Sequence, residues 1–247
     1  MRSWLALLAA VLALAGCVST GRPSDANLVE AARINTELGI DYMRKGQMEP
    51  ALEKLKRAIG QDPNNSVAQS AIAYVYQTRS EPELAEKHYR QALALDAENA
   101  DARNNFGVFL CGRGEYAEAD KYFLKAAQDP KYTTPDVAYT NAGVCAKSFN
   151  ATKAENYFRK ALEANPKSPD ALAQLASIAF RGKDYLRTRA FLQRFEAVGK
   201  PTAEMLWIGA QTEREMGDDL AARKYELRLR REFPDSAEAA NLDKPRE

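Results

Sequence analysis

A period of 34 residues constrains this chain more than any other feature. Gly39, Ala73 and Gly107 stand 34 and 34 residues apart, and the residues around them recur in step. Twelve positions after each come Ala51, Ala85 and Ala119; four further on come Leu55, Tyr89 and Phe123; three beyond those come Ala58, Ala92 and Ala126. The register continues more loosely through Gly143, Ala176 and Gly209, with Phe158, Leu192 and Tyr225 as the matching large residues. Pro63, Pro166, Pro201 and Pro234 fall near unit ends. Inside a unit the apolar residues have helical spacing, as in Leu38 and Tyr42, then Ala51, Leu55 and Ala58. Small residues at the Gly39-type and Ala51-type sites let two helices approach closely. Asp-Pro at 62–63 and 129–130 and Asn-Pro at 165–166 stop the second helix, because a residue before proline avoids helical geometry. A two-helix unit cannot bury its apolar face alone, so such units must stack.

The stretch ELGIDYMRKGQMEPALEKLKRAIGQDPNN resembles the tetratricopeptide repeat (TPR) consensus. The resemblance implies an all-α, right-handed superhelical solenoid of six helix-turn-helix repeats within residues 27–235. The units run approximately 32–65, 66–99, 100–134, 135–168, 169–201 and 202–235, followed by a C-terminal tail at 236–247 whose final DKPRE is expected to be disordered. Thr188, Phe195 and Arg228 replace expected small residues in repeats five and six, which suggests a terminal cap.

The chain opens differently. Arg2 precedes an apolar run from Trp4 to Ala15, too short to span a bilayer and of signal-peptide length. It ends in Leu14-Ala15-Gly16-Cys17, which looks like a bacterial lipobox. That resemblance implies a signal peptide at 1–16, lipidation of Cys17 and a polar tether through residue 26. Several acyl chains give stable anchoring, at about 0.8 kcal/mol per buried methylene. Val18 is not an aspartate, so the usual sorting rule favours the outer membrane, with the chain facing the periplasm.

Charge excludes other classes. Lys plus Arg is 35 and Asp plus Glu is 34, and loss of Arg2 with the signal segment leaves the rest neutral. Nucleic acid needs clustered positive charge, so it is not an expected partner. The single histidine, His88, reads as a solvated surface residue. No phosphate loop, nucleophile elbow or zinc-ligand spacing is present. The expectation is a binding protein and not an enzyme, with no cofactor, no metal and no small-molecule substrate.

A narrower resemblance lies in the order of lipobox, tether and six repeats, and in NNFGVFLCGRGEYAEADKYFLKAAQDPKY and EMLWIGAQTEREMGDDLAARKYELRLRREFPDS. These are similar to the type IV pilus biogenesis and stability lipoproteins, the PilF/PilW family. Membership implies a pilotin that brings the secretin subunit to the outer membrane and promotes its multimerisation. An envelope adaptor for peptidoglycan enzymes or for outer-membrane protein assembly has the same architecture.

Two sets of site residues follow. With the Gly39-type site as position 8, Cys111 falls at position 12 of repeat three and Cys145 at position 10 of repeat four. Two positions differ by roughly 200° of helical phase, so the side chains point in opposite senses on neighbouring helices. The pair reads either as two small buried hydrophobes or as a disulfide. The oxidising periplasm and the cysteine pair carried by the resembled family favour the disulfide. The TPR resemblance also implies that positions 5, 9 and 12 of each first helix line a concave groove. These are Thr36, Ile40 and Met43, then Ser70, Tyr74 and Gln77, then Asn104, Val108 and Cys111. Ile40, Met43, Tyr74 and Val108 make an apolar stripe expected to take a secretin segment, as a helix or an added strand.

Overall fold

A computed structural model describes residues 25–242. The expected signal segment, Cys17 and residues 17–24 of the tether lie outside the described residues. Helices α1 (Asp25–Arg44) and α2 (Met48–Gln61) form the first pair, α3 (Ser66–Thr78) and α4 (Pro82–Leu95) the second, and α5 (Ala100–Gly112) and α6 (Tyr116–Ala127) the third. The stack continues with α7 (Pro135–Ala146) and α8 (Ala151–Ala164), α9 (Pro169–Arg181) and α10 (Tyr185–Glu196), and α11 (Ala203–Glu215) and α12 (Asp219–Glu232), closed by α13 (Ala237–Asn241). There is no strand among the described residues. The six-repeat TPR solenoid implied by the resemblance is the fold observed.

Local chemistry repeats with the helices. The second helices of the first four repeats are each followed within two residues by an Asp or Asn whose side chain accepts a backbone N–H two residues on: Asp62 from Asn64, Asp96 from Glu98, Asp129 from Lys131 and Asn165 from Lys167. Asn65 and Asn99 then cap the next first helix by accepting from Ala68 and Ala102. Each also reaches back one repeat, Asn65 Nδ2 donating to Thr36 Oγ1 at 3.4 Å and Asn99 Nδ2 to Ser66 Oγ at 2.9 Å. A helix start is thereby also an inter-repeat joint. Between the helices of five of the six pairs the backbone turns through left-handed φ, at Gly46 (73°), Ser80 (60°), Gly114 (79°), Lys183 (57°) and Gly217 (79°); the α7–α8 connection has no such residue.

The core is the set of period-matched residues. Ala51, Ala85, Ala119 and Ala154 are fully buried beside Leu55, Tyr89, Phe123 and Phe158. Gly107 and Gly143 are required by close approach: a Cβ there would lie 2.8 Å and 2.5 Å from ring atoms of Phe123 and Phe158.

In the last two repeats the structure agrees with the sequence reading at Thr188 and Phe195 and corrects it at Arg228. Thr188 takes the Ala51-type place, fully buried, and its hydroxyl donates to Asp184 O at 2.8 Å. Phe195 fills the Ala58-type place. In repeat six that place belongs to Leu229, not Arg228. α11 has thirteen residues like α3, α5 and α9, but α12 begins one residue later after Gly209 than α2 does after Gly39 (219 − 209 against 48 − 39). Arg228 instead pairs with Glu196 and Glu232. The expected tail also begins as structure: α13 buries Ala239 against Leu206 and Leu229, covering the end of the stack as a further first helix would.

Candidate functional site

The inner wall is made by the first helix of each pair, so its exposed side chains are the candidates for recognition. At position 9, Tyr74 is 40% and Val108 38% exposed. Ile40 and Met43 are half-buried and pack against the core. Together with Val67, Ser70 and Ala71 they line a cavity of about 290 Å³ where α1, α3 and the start of α5 meet.

Against expectation, position 5 lines the groove only at Ser70, which is buried but borders this cavity. Thr36 and Asn104 are buried in the joints between repeats. Thr36 Oγ1 donates to Ala32 O and accepts from Asn65, and Asn104 Oδ1 accepts from Asn141 Nδ2 at 3.0 Å. Gln77 is also turned inward: its Oε1 accepts from Tyr89 OH at 3.0 Å, beside a phenol whose pKa burial pushes up. What sequence reasoning missed is position 2 and the fourth repeat. Val67, Val137 and Val144 are 50%, 42% and 47% exposed and extend the apolar row through α7. The signal was present, since positions 2 and 9 are valine in repeat four. In repeat five the same two positions are Asp170 and Ser177, and the row stops.

Polar pairs take over beyond it. Lys147 Nζ donates to Gln174 Oε1 at 2.8 Å and Ser177 Oγ to Glu204 Oε1 at 3.0 Å. Between first and second helices, Arg189 of α10 pairs with Glu213 of α11 and Arg214 of α11 with Glu226 of α12. The inner wall thus has an apolar N-terminal part and a polar C-terminal part whose side chains engage one another.

Cys111 and Cys145 are joined Sγ to Sγ, with Cα atoms 5.8 Å apart, a separation that a disulfide spans without backbone movement. The bridge ties the end of α5 to the end of α7. Cys145 is buried and Cys111 half-buried at the groove edge. His88 is not a solvated residue. Its ring stacks on Tyr76 with centroids 5.4 Å apart, and Nδ1 lies 2.7 Å from Gln69 Oε1. Desolvation, with Lys87 nearby, lowers its pKa below the ordinary 6.5, so the imidazole is held neutral. Among the described residues no group of three His, Cys, Asp or Glu is placed to hold a metal ion, and no helix is long and apolar enough to cross a membrane.

The tetratricopeptide repeat family matches residues 70–133 and 150–204. The type IV pilus assembly protein PilF of Pseudomonas aeruginosa is 33% identical over 243 residues, covering 96% of each chain. This chain belongs to the PilF/PilW family. Solved structures agree with that placement. The structure of Pseudomonas aeruginosa PilF has a TM-score of 0.77 at 32% identity, covering 87% of this chain and 97% of that one. The structure of PilW, described as a widely conserved type IV pilus biogenesis factor, has a TM-score of 0.74 at 32% identity, covering 86% and 98%. Members of the PilF/PilW family thus share this solenoid along nearly its whole length.

Proposed function

We propose that this chain is a type IV pilus assembly factor acting as a pilotin. It is anchored in the outer membrane through acylated Cys17, faces the periplasm, and holds an apolar segment of the secretin subunit to promote its localisation and multimerisation. The observation that carries the reading is the exposed apolar row Tyr74, Val108 and Val144, continuous with Ile40 and Met43, on the wall of a fold whose relatives are named for pilus assembly. Exposed apolar stripes on a concavity are recognition surfaces more often than unused core. With no sheet edge among the described residues, an added strand has nothing to pair with, so the bound segment is a helix or an extended chain held by its side chains.

The test is capture of the secretin from envelopes of the same organism. Ile40→Asp and Tyr74→Asp should keep the helical circular dichroism spectrum and lose capture by at least tenfold, equivalent to about 1.4 kcal/mol. Normal capture by both folded variants would remove the groove from the mechanism. Cys17→Ser should release the protein from membranes and lower the secretin multimer; an intact mass without acyl groups on Cys17 would refute the anchor.

A further inference from the structure

The three most exposed large apolar side chains among the described residues lie far from the groove. Leu186 on α10 is 72% exposed, and Leu220 and Leu227 on α12 are 69% and 68% exposed. Leu186 and Leu220 are each the second residue of their helix, so they hold the same place on adjacent outer helices. Those helices are fastened together through Glu196, which accepts from Tyr225 OH at 3.2 Å and from Arg228 Nη1 at 2.6 Å. Leu220 and Leu227 are seven residues apart and so nearly in line, about 10 Å along the axis. At 100° per residue, Lys224 and Arg231 fall about 20–40° to one side of Leu220 and Arg223 about 60° to the other. All three cations are exposed.

We propose that this outer face of α12, with Leu186 beside it, docks on a membrane surface carrying anionic phospholipid headgroups. Leucines flanked on both sides by Arg and Lys are the pattern of an interfacial helix, whose cations reach phosphates while the apolar ridge enters the headgroup boundary. Most acidic groups nearby are already engaged: Glu196 by Arg228, and Glu232 by Arg228 and Arg231. Asp219 remains, at the start of the helix and away from Arg231. The ridge is convex, and a deformable headgroup layer covers it without the matching groove that a rigid partner would need. Anchored at Cys17 as well, the solenoid would be held at both ends along the membrane.

The experiment is co-flotation of the chain from residue 18 onward, without the anchor, with vesicles. Its buried clusters lie wholly within the described helices, so the part retains its core. Vesicles of phosphatidylglycerol with phosphatidylethanolamine should bind it, and phosphatidylcholine vesicles should not. Arg223→Gln with Lys224→Gln should weaken binding about thirty-fold, from about 1 kcal/mol per cation and a factor of ten per 1.4 kcal/mol. Leu220→Ser with Leu227→Ser should weaken it while leaving the thermal midpoint unchanged. Equal binding to phosphatidylcholine, or undiminished binding by either double variant, overturns the proposal. So does saturable binding of an acidic amphipathic peptide by a chain that binds no vesicle, which would make the face a protein interface.

Discussion

Removing the Cys111–Cys145 bridge should destabilise the middle of the solenoid by a calculable amount. The bridge closes a loop with a sequence separation of 34 residues, spanning α6, the α6–α7 connection and nearly all of α7. In the chain-entropy treatment a loop of that length restricts the unfolded chain by about 4 kcal/mol at 25 °C. Both cysteines pack among apolar residues, so replacing the pair with alanine removes the cross-link at the smallest cost in packing. Urea unfolding of the oxidised protein, the reduced protein and Cys111→Ala/Cys145→Ala should give one high midpoint and two coincident lower ones. The cross-linked unfolded chain is more compact, so the oxidised protein should also show the smaller denaturant slope. A solenoid can lose repeats piecemeal, so amide exchange should be read alongside, with α5–α7 losing protection first on reduction. Two reactive thiols in the denatured, non-reduced protein, or equal midpoints for the oxidised protein and the alanine variant, would refute the reasoning.

Further outcomes follow from the same geometry. Ser80→Gly and Lys183→Gly relieve left-handed backbone at φ 60° and 57°, and each should raise stability by about 1 kcal/mol, a Tm gain of about 2–4 °C by calorimetry. Gly143→Val should do the reverse, because Phe158 is fully buried and its ring already occupies the space; a loss of about 2 kcal/mol is expected in thermal unfolding, and no loss would mean the helices can separate there. His88 is the chain's single histidine, so one imidazole signal reports its titration by NMR. Its folded pKa is below 6.5, so the unfolded state binds the proton more readily, and stability should decline as pH falls through 6.5 towards the folded value; a folded pKa at or above 6.5 would contradict its packing against Tyr76 and Gln69.

Much of this protein was legible in one dimension because its contacts are local and periodic. The Gly39-type and Leu55-type residues meet within a single helix pair, so their spacing along the chain states the contact directly. The Asp and Asn turns at 62, 129 and 165 act through their own next few residues, which is why the sequence marks the ends of the second helices in repeats one, three and four. The cysteine phase could be counted for the same reason: two positions on adjacent first helices differ by a fixed rotation.

What sequence did not decide depends on how one repeat leans on the next. Position 5 turned out buried at Thr36 and Asn104 because the inter-repeat joint closes over it, while position 2 opened at Val67 and Val137. His88 was polar by type yet shielded by Tyr76 and Gln69 of the preceding helix. A one-residue later start of α12 relative to Gly209 moved the buried place from Arg228 to Leu229, a change invisible to a count that assumes constant turns. Period and residue type determine the helices and the pairs. Which side chains face solvent is set by the rotation accumulated between pairs, and only the stacked solenoid contains that rotation.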